Sequence, residues 1–237
     1  MSLEDKIKAM FLSAVLKDME EEREGIHVSH LVGECLRNSW YSLKYGGSGV
    51  SDEGEEFGFK TETSIITLWL GKKLHETPIS NVVIDGRSGH EFTLKWMDVT
   101  GTADEILYID GSYIIVDKKT VNNLPRFAYD RHIRQIQYYA LMLYKLHDIK
   151  ADYGAVIYIK KSLKLDDMEA VKVYTFPIGN LDDIENDFIS RVFALKDDVP
   201  PVAVRGKHCA FCRWQEICVL EDGKVDIHEV ETGDDDD

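Results

Sequence analysis

The segment 102–120, TADEILYIDGSYIIVDKKT, constrains the fold more than any other part of the 237-residue chain. Asp110-Gly111 is a strong signal for a two-residue hairpin turn. If Ile109 and Ser112 flank that turn, Tyr108 faces Tyr113, Ile106 faces Ile115, and Asp104 lies directly across from Asp117. Opposed like charges destabilise a sheet, so two facing aspartates require a reason. A divalent cation between them supplies one, because hard ions take carboxylate oxygens. Alternation along the strand places Lys119 on the same face as Asp117. A three-residue turn would shift the pairing by one residue, and Lys118 and Glu105 would then compete for these places. By itself the pattern also fits a solvated hairpin with scattered charge.

The surrounding chain adds to it. Gly71-Lys-Lys-Leu-His75 closes a helical pattern over 61–76, ahead of Pro78, and His75 offers a nitrogen ligand to a Mn-like ion. After the hairpin, periodicity predicts a helix over 130–147, on which Gln135 and Tyr139 are four apart and share a face. Helical patterns also cover 3–22, 28–45 and 180–196, and β-type runs cover 81–85, 91–98, 102–109, 113–117, 153–160 and 170–176. Residues 46–58 read as a loop, and Pro200-Pro201 as a break. Mixed elements in this order predict an α/β or α+β core, with a mixed central sheet flanked by helices.

The net charge of −15 is unevenly spread, since residues 221–237 hold nine acids and one Lys. That tail has little to bury and is expected to be disordered. Residues 118–134 instead carry Lys118, Lys119, Arg126, Arg131 and Arg134 against the single acid Asp130. A negative total therefore leaves room for a basic face that binds phosphates, with Arg126, Arg131 and Arg134 as candidate contacts. No stretch approaches 18 apolar residues, which argues against a membrane span, and the N-terminus lacks the features of a signal peptide. The expectation is a cytoplasmic chain. Trp40-Tyr41 are aromatic enough to stack on bases, but a core role is the simpler expectation.

Four cysteines are present, and in a reducing compartment a metal site is favoured over disulfides. Cys209-x-x-Cys212-x5-Cys218 groups three thiols near the C-terminus, and Cys35 is far away in sequence. Four thiolates suit tetrahedral zinc, whereas a one-plus-three split is compatible with a cubane iron–sulfur cluster. Spacing leaves both open, with His208 as an alternative ligand. Either way the site would clamp the N-terminal helical region to the C-terminal end, a structural role.

The order G-x-x-x-H, D, D-x-K, Q-x-x-x-Y, carried by Gly71/His75, Asp104, Asp117/Lys119 and Gln135/Tyr139, resembles the RecB-like branch of the PD-(D/E)xK nucleases. One cysteine before these motifs and three after them is similar to the iron–sulfur nucleases of that group. The small size looks most like the CRISPR-associated exonuclease family, the fourth Cas family. Asp117 stands where Glu is commoner. The resemblance implies a restriction-endonuclease-like fold and a [4Fe-4S] cluster on Cys35, Cys209, Cys212 and Cys218. The expected layout is an N-terminal helical region at 1–60, a nuclease core at 61–200, a cysteine segment at 201–220 and the acidic tail.

The resemblance further implies Mg²⁺ or Mn²⁺ on Asp104, Asp117 and His75, with Lys119 orienting water or stabilising charge on the phosphate and Gln135 and Tyr139 bracing it. The implied substrate is DNA with single strands or overhangs, cut 5′→3′, and the implied partner a CRISPR integrase complex. Two other readings stay open: a viral or recombination-type iron–sulfur nuclease, and a non-catalytic DNA-binding adaptor stapled by zinc. The oligomeric state is not legible.

Overall fold

The computed structural model describes residues 25–46, 76–161 and 170–222. In chain order these form β1 (Ile26–His27), α1 (Val28–Leu31), α2 (Leu36–Tyr45), β2 (Val83–Ile84), β3 (Arg87–Ser88), β4 (His90–Trp96), β5 (Val99–Ile109) and β6 (Ser112–Val121). Then follow α3 (Asp130–His147), β7 (Ala151–Lys160), β8 (Val171–Pro177), α4 (Leu181–Lys196), a 3-10 turn at Lys207–Phe211, and α5 (Gln215–Asp222). The central sheet runs β1-β5-β6-β7-β8, with β4 also paired to β5. The β6–β7 and β1–β5 pairs are parallel and the others antiparallel, so the sheet is mixed. Among the described residues no helix is long and apolar enough to cross a membrane.

The β5–β6 hairpin has the expected register, with Tyr108 opposite Tyr113, Ile106 opposite Ile115 and Ile109 opposite Ser112. Asp110 and Gly111 both have positive φ, at 52° and 85°, as a two-residue turn matched to strand twist requires. A second tight turn interrupts the run expected as one strand over 91–98. Trp96 pairs with Val99, and Met97 and Asp98 between them have φ of 51° and 64°. No glycine or asparagine announces this turn. Lys196 of α4 holds it instead, with Nζ 2.9 Å from Asp98 Oδ2 and 3.5 Å from the Met97 carbonyl.

The helix expected over 28–45 is broken at 32–35. Gly33 lies in the gap, where its low helix propensity weakens continuation. The break makes Cys35 the residue that starts α2. α3 bridges β6 to the parallel strand β7, and its buried residues include Ile136, Tyr139 and Leu143. Its other side meets α4, where Tyr138 packs edge-on against Phe188 and donates to Asp187 Oδ2 at 2.6 Å. Arg134 is engaged in the same seam, with Nε 3.4 Å from Asp187 Oδ2.

The two ends of the described chain meet at α2. Trp40 Nε1 donates to the Asp197 carbonyl at 2.8 Å, and Trp214 Nε1 donates to Ser42 Oγ at 3.1 Å. Trp40 and Tyr41 are both buried in the core, 4% and 0% exposed, which removes them as surfaces for bases.

Candidate active site and the cysteine cavity

β6 alternates Asp117, Lys118 and Lys119, so the first and third share a face and Lys118 takes the other. Asp117 is 1% exposed, and Lys119 Nζ sits 3.0 Å from its Oδ1 and 2.9 Å from its Oδ2. Asp104 arrives from β5 across the hairpin. It is buried, and its Oδ2 accepts the Lys118 backbone N–H at 2.6 Å. That bond ties one carboxylate to the strand carrying the other. Burying two carboxylates beside one ammonium leaves excess negative charge in a low-dielectric place, which suits a divalent cation. Among the described residues no three His, Cys, Asp or Glu side chains converge on one ion. The expected third ligand, His75, lies with Gly71 outside the described residues.

Lys118 and Glu105 belong to a separate network. Glu105 is fully buried and receives Lys118 Nζ, His90 Nδ1 at 2.9 Å and the Ser80 N–H at 3.0 Å. Lys118 Nζ also donates to the Thr77 carbonyl at 2.6 Å. This cluster anchors the segment before β2 to the sheet. It also occupies the two side chains that competed with Lys119 and the aspartates in a shifted register.

α3 covers the face of Asp117 and Lys119. Tyr158 is the β7 partner of Lys119, and its hydroxyl lies 2.8 Å from His132 Nδ1. Gln135 Nε2 donates to Tyr139 Oη at 2.7 Å, so the two residues contact each other as their spacing predicted. The Tyr139 ring lies against Gly101 of β5, where a Cβ would come within 2.6 Å of it. Glycine there allows the helix to approach.

His132 was not singled out by its sequence context. Burial, with the charges of Lys119 and Arg131, pushes its pKa down to about 3. The imidazole is therefore neutral at neutral pH. The unfolded chain takes that proton near pH ~6.5, the folded chain only near ~3, so the unfolded state binds more protons in between. Stability contributed by the neutral ring is thus complete above ~6.5 and is lost as the pH falls toward ~3. The expected result is a melting temperature that falls on acidification through this window. The fall should be shallower in His132→Gln, and parallel curves would refute the assignment.

The four cysteines line one cavity, together with Arg37, Asn38, Tyr41, Trp214 and the segment 203–205. Cys35 comes from the start of α2, Cys209 from the 3-10 turn, Cys212 from the residue after it, and Cys218 from α5. Two sulfurs face N–H donors: Asn38 Nδ2 is 3.3 Å from Cys212 Sγ, and Arg37 Nη1 is 3.7 Å from Cys218 Sγ. Arg37 is buried, and its Nε donates to the Pro201 carbonyl at 2.5 Å. Burial pushes the Cys212 thiol up, against the hydrogen bonds from Trp214 and Asn38. The four cysteines share the lining of this cavity, with a buried cation and an amide directed at two of the sulfurs, but among the described residues no three His, Cys, Asp or Glu side chains are arranged to hold one ion. His208 also lines the cavity, with both ring nitrogens engaged: Nε2 is 2.9 Å from the Val204 carbonyl and Nδ1 3.1 Å from Glu34.

Among curated proteins none matches the chain. The fold is similar to the crystal structure of SSO0001, with a TM-score of 0.53 and 18% identity over 91% of this chain and 97% of that one. Two crystal structures of the alkaline exonuclease LHK-Exo from Laribacter hongkongensis, one in complex with dAMP, give TM-scores of 0.41. Their identities are 12% and 11%, over 73% of this chain and 88% of theirs. The model of the PD-(D/E)XK nuclease superfamily matches residues 10–219. This chain, with its mixed sheet and its buried Asp117 paired to Lys119, belongs to the PD-(D/E)XK nuclease superfamily, phosphodiester-hydrolysing enzymes that use divalent metals such as Mg²⁺ or Mn²⁺.

Proposed function

We propose that the chain is an exonuclease acting on DNA single strands or overhangs with 5′→3′ polarity, that it carries a structural [4Fe-4S] cluster, and that it is a CRISPR-associated RecB-like nuclease trimming DNA ahead of an integrase. The observation that carries the catalytic part is the buried pair Asp104 and Asp117 on adjoining strands, with the Lys119 ammonium at 3.0 Å from Asp117. The proposed layout is a helical region at 1–60, a nuclease core at 61–200, a cysteine segment at 201–220 and an acidic tail after it.

In this reading Asp104 and Asp117 hold Mg²⁺ or Mn²⁺, with His75 as the expected third ligand. When bound, the ion polarises the scissile phosphate and acidifies a coordinated water. Asp117 fixes the Lys119 ammonium, which orients the attacking water and offsets charge developing on the phosphate. Tyr139 and Gln135 form a hydrogen-bonded pair on the covering helix, and Tyr158 flanks Lys119 on the next strand. Their place is to shape the pocket around that lysine. Arg126 and Arg131 are exposed beside the start of α3 and would meet phosphates; Arg134 is partly held by Asp187.

The thiol-lined cavity supports the cluster reading through its donors. N–H groups directed at cluster sulfurs stabilise their negative charge, and the Arg37 cation offsets it. Digestion of end-labelled single-stranded, overhung and blunt DNA with Mn²⁺ tests the activity. Release of short products from 5′ ends of single strands is expected, and a chain inert on all three substrates overturns the reading. Iron and acid-labile sulfide in an anaerobic preparation are the expected signature of the cluster. A colourless preparation containing zinc overturns that part alone.

A further inference from the structure

The connection between β6 and α3, Pro125–Asp130, presents two aromatic rings to solvent beside the catalytic face. Phe127 is 69% exposed and Tyr129 46%. Each ring carries a guanidinium on one side: Arg126 lies 5.5 Å from the Phe127 centroid and Arg131 5.6 Å from that of Tyr129. Exposed aromatic rings on a loop usually cost order or solubility, and this loop is held firmly. The Tyr174 hydroxyl lies 2.7 Å from the Pro125 carbonyl and 2.6 Å from the Arg126 carbonyl. Lys172 Nζ reaches the Pro125 carbonyl at 3.3 Å, and the Tyr129 N–H donates to Tyr158 Oη at 3.0 Å. Because Tyr158 is the strand partner of Lys119, the rings are tied by one side chain to the residue beside Asp117.

We infer that Phe127 and Tyr129 form a stacking platform for unpaired bases of the DNA strand entering the active site, with Arg126 and Arg131 meeting its phosphates. An aromatic face accepts any base, and a nearby cation both orients the ring and neutralises the backbone. The only acid within the basic stretch 118–134 is Asp130, so the surroundings favour a polyanion. In a duplex the base faces are already stacked on one another and cannot reach the rings. The platform therefore selects single-stranded ends. Preordering of the loop by Tyr174, Lys172 and Tyr158 lowers the conformational cost of binding.

This inference deepens the DNA-processing reading and names which side chains recognise the strand, so its test avoids catalysis. Binding of a short fluorescently labelled single strand to the full-length protein, in EDTA, is measured by anisotropy against a blunt duplex of the same sequence. Phe127→Ala and Tyr129→Ala are each expected to weaken single-strand binding about tenfold, the order set by losing one base–aromatic stack. Duplex binding should be unaffected, and Phe127→Trp should retain wild-type affinity. Melting temperatures of the variants separate this effect from misfolding. Equal binding by Phe127→Ala and wild type, equal losses on duplex, or no single-strand binding by wild type overturns the platform. If the wild type binds in this pattern yet never cleaves, the enzyme reading fails and the platform stands.

Discussion

Asp117→Asn and Lys119→Ala should each slow phosphodiester cleavage by roughly a thousandfold, whereas Lys118→Ala should damage the fold itself. The neighbouring lysines have the same chemistry and different surroundings. Lys119 Nζ donates to Oδ1 of a nearly inaccessible carboxylate and lies 2.9 Å from its Oδ2, on the strand face covered by α3. Its loss removes a positive charge from the place where phosphate charge would develop, which is where preorganised electrostatics matter most. Asp117→Asn keeps the shape and removes the charge that grips the cation. Two variants acting on one unit should not add, so the double variant is expected to be little slower than either single one.

Lys118 instead neutralises the fully buried Glu105 and holds the Thr77 carbonyl. Truncating one partner of a buried ion pair leaves an uncompensated charge and costs about 3–5 kcal/mol. Lys118→Ala is thus expected to lower the unfolding midpoint in urea sharply, with the loss of cleavage following the unfolded fraction. Asp117→Asn should melt no lower than wild type, since it removes one of two buried carboxylates. Wild-type cleavage by Asp117→Asn, or a stable and inactive Lys118→Ala, would reverse the roles of the two lysines.

Which parts were legible in the chain follows from what local rules can carry. The Asp110-Gly111 turn combines residue preference with strand alternation, so it pinned the hairpin register from Glu105 opposite Val116 to Ile109 opposite Ser112. α3 was equally readable, because its 3.6-residue period is long and uninterrupted. The Met97-Asp98 turn was not, because Lys196, 98 residues further on, stabilises it rather than its own composition. The same holds for the break before α2. Nothing short of the folded arrangement shows that Cys35 must begin a helix to share a cavity with Cys209, Cys212 and Cys218. Glu105, Lys118 and His90 form their network through strand pairing and a long return of the chain, so Lys118 and Glu105 read only as stand-ins for Lys119 and an aspartate in a shifted register, and His90 carried no signal. Phe127 and Tyr129 were passed over for the opposite reason, since a short aromatic loop carries no periodicity.

The larger expected effect on stability lies at the cysteines. On the proposed cluster reading, Cys212→Ser should strip most of the bound metal and lower stability by at least about 4 kcal/mol, the amount a ligand supplies at a thousandfold excess over its dissociation constant. The contacts joining α2 to the C-terminal segment explain why the loss should be large. Apart from the sulfurs they include the Arg37–Pro201 bond, the Trp214–Ser42 bond and the tilted packing of Tyr41 and Tyr45 on Trp214 at 5.8 and 5.9 Å. Without a shared group, the thiols that line this partly apolar cavity join α2 to the C-terminal segment only through the weak N–H···S bonds from Asn38 and Arg37. Burial has already raised the Cys212 pKa, so in the absence of a metal its proton stays on and its sulfur binds weakly. Hydrogen exchange should consequently rise in 25–46 and 201–218 of the variant, with β5, β6 and α3 less affected. Arg37→Met is the companion variant. It removes the cation directed at Cys218 and the bond to Pro201, and should lose metal faster under chelation while Asn38→Leu does so to a smaller extent. A Cys212→Ser chain that retains wild-type metal content and melting temperature would show that the four thiols share a cavity without sharing a ligand.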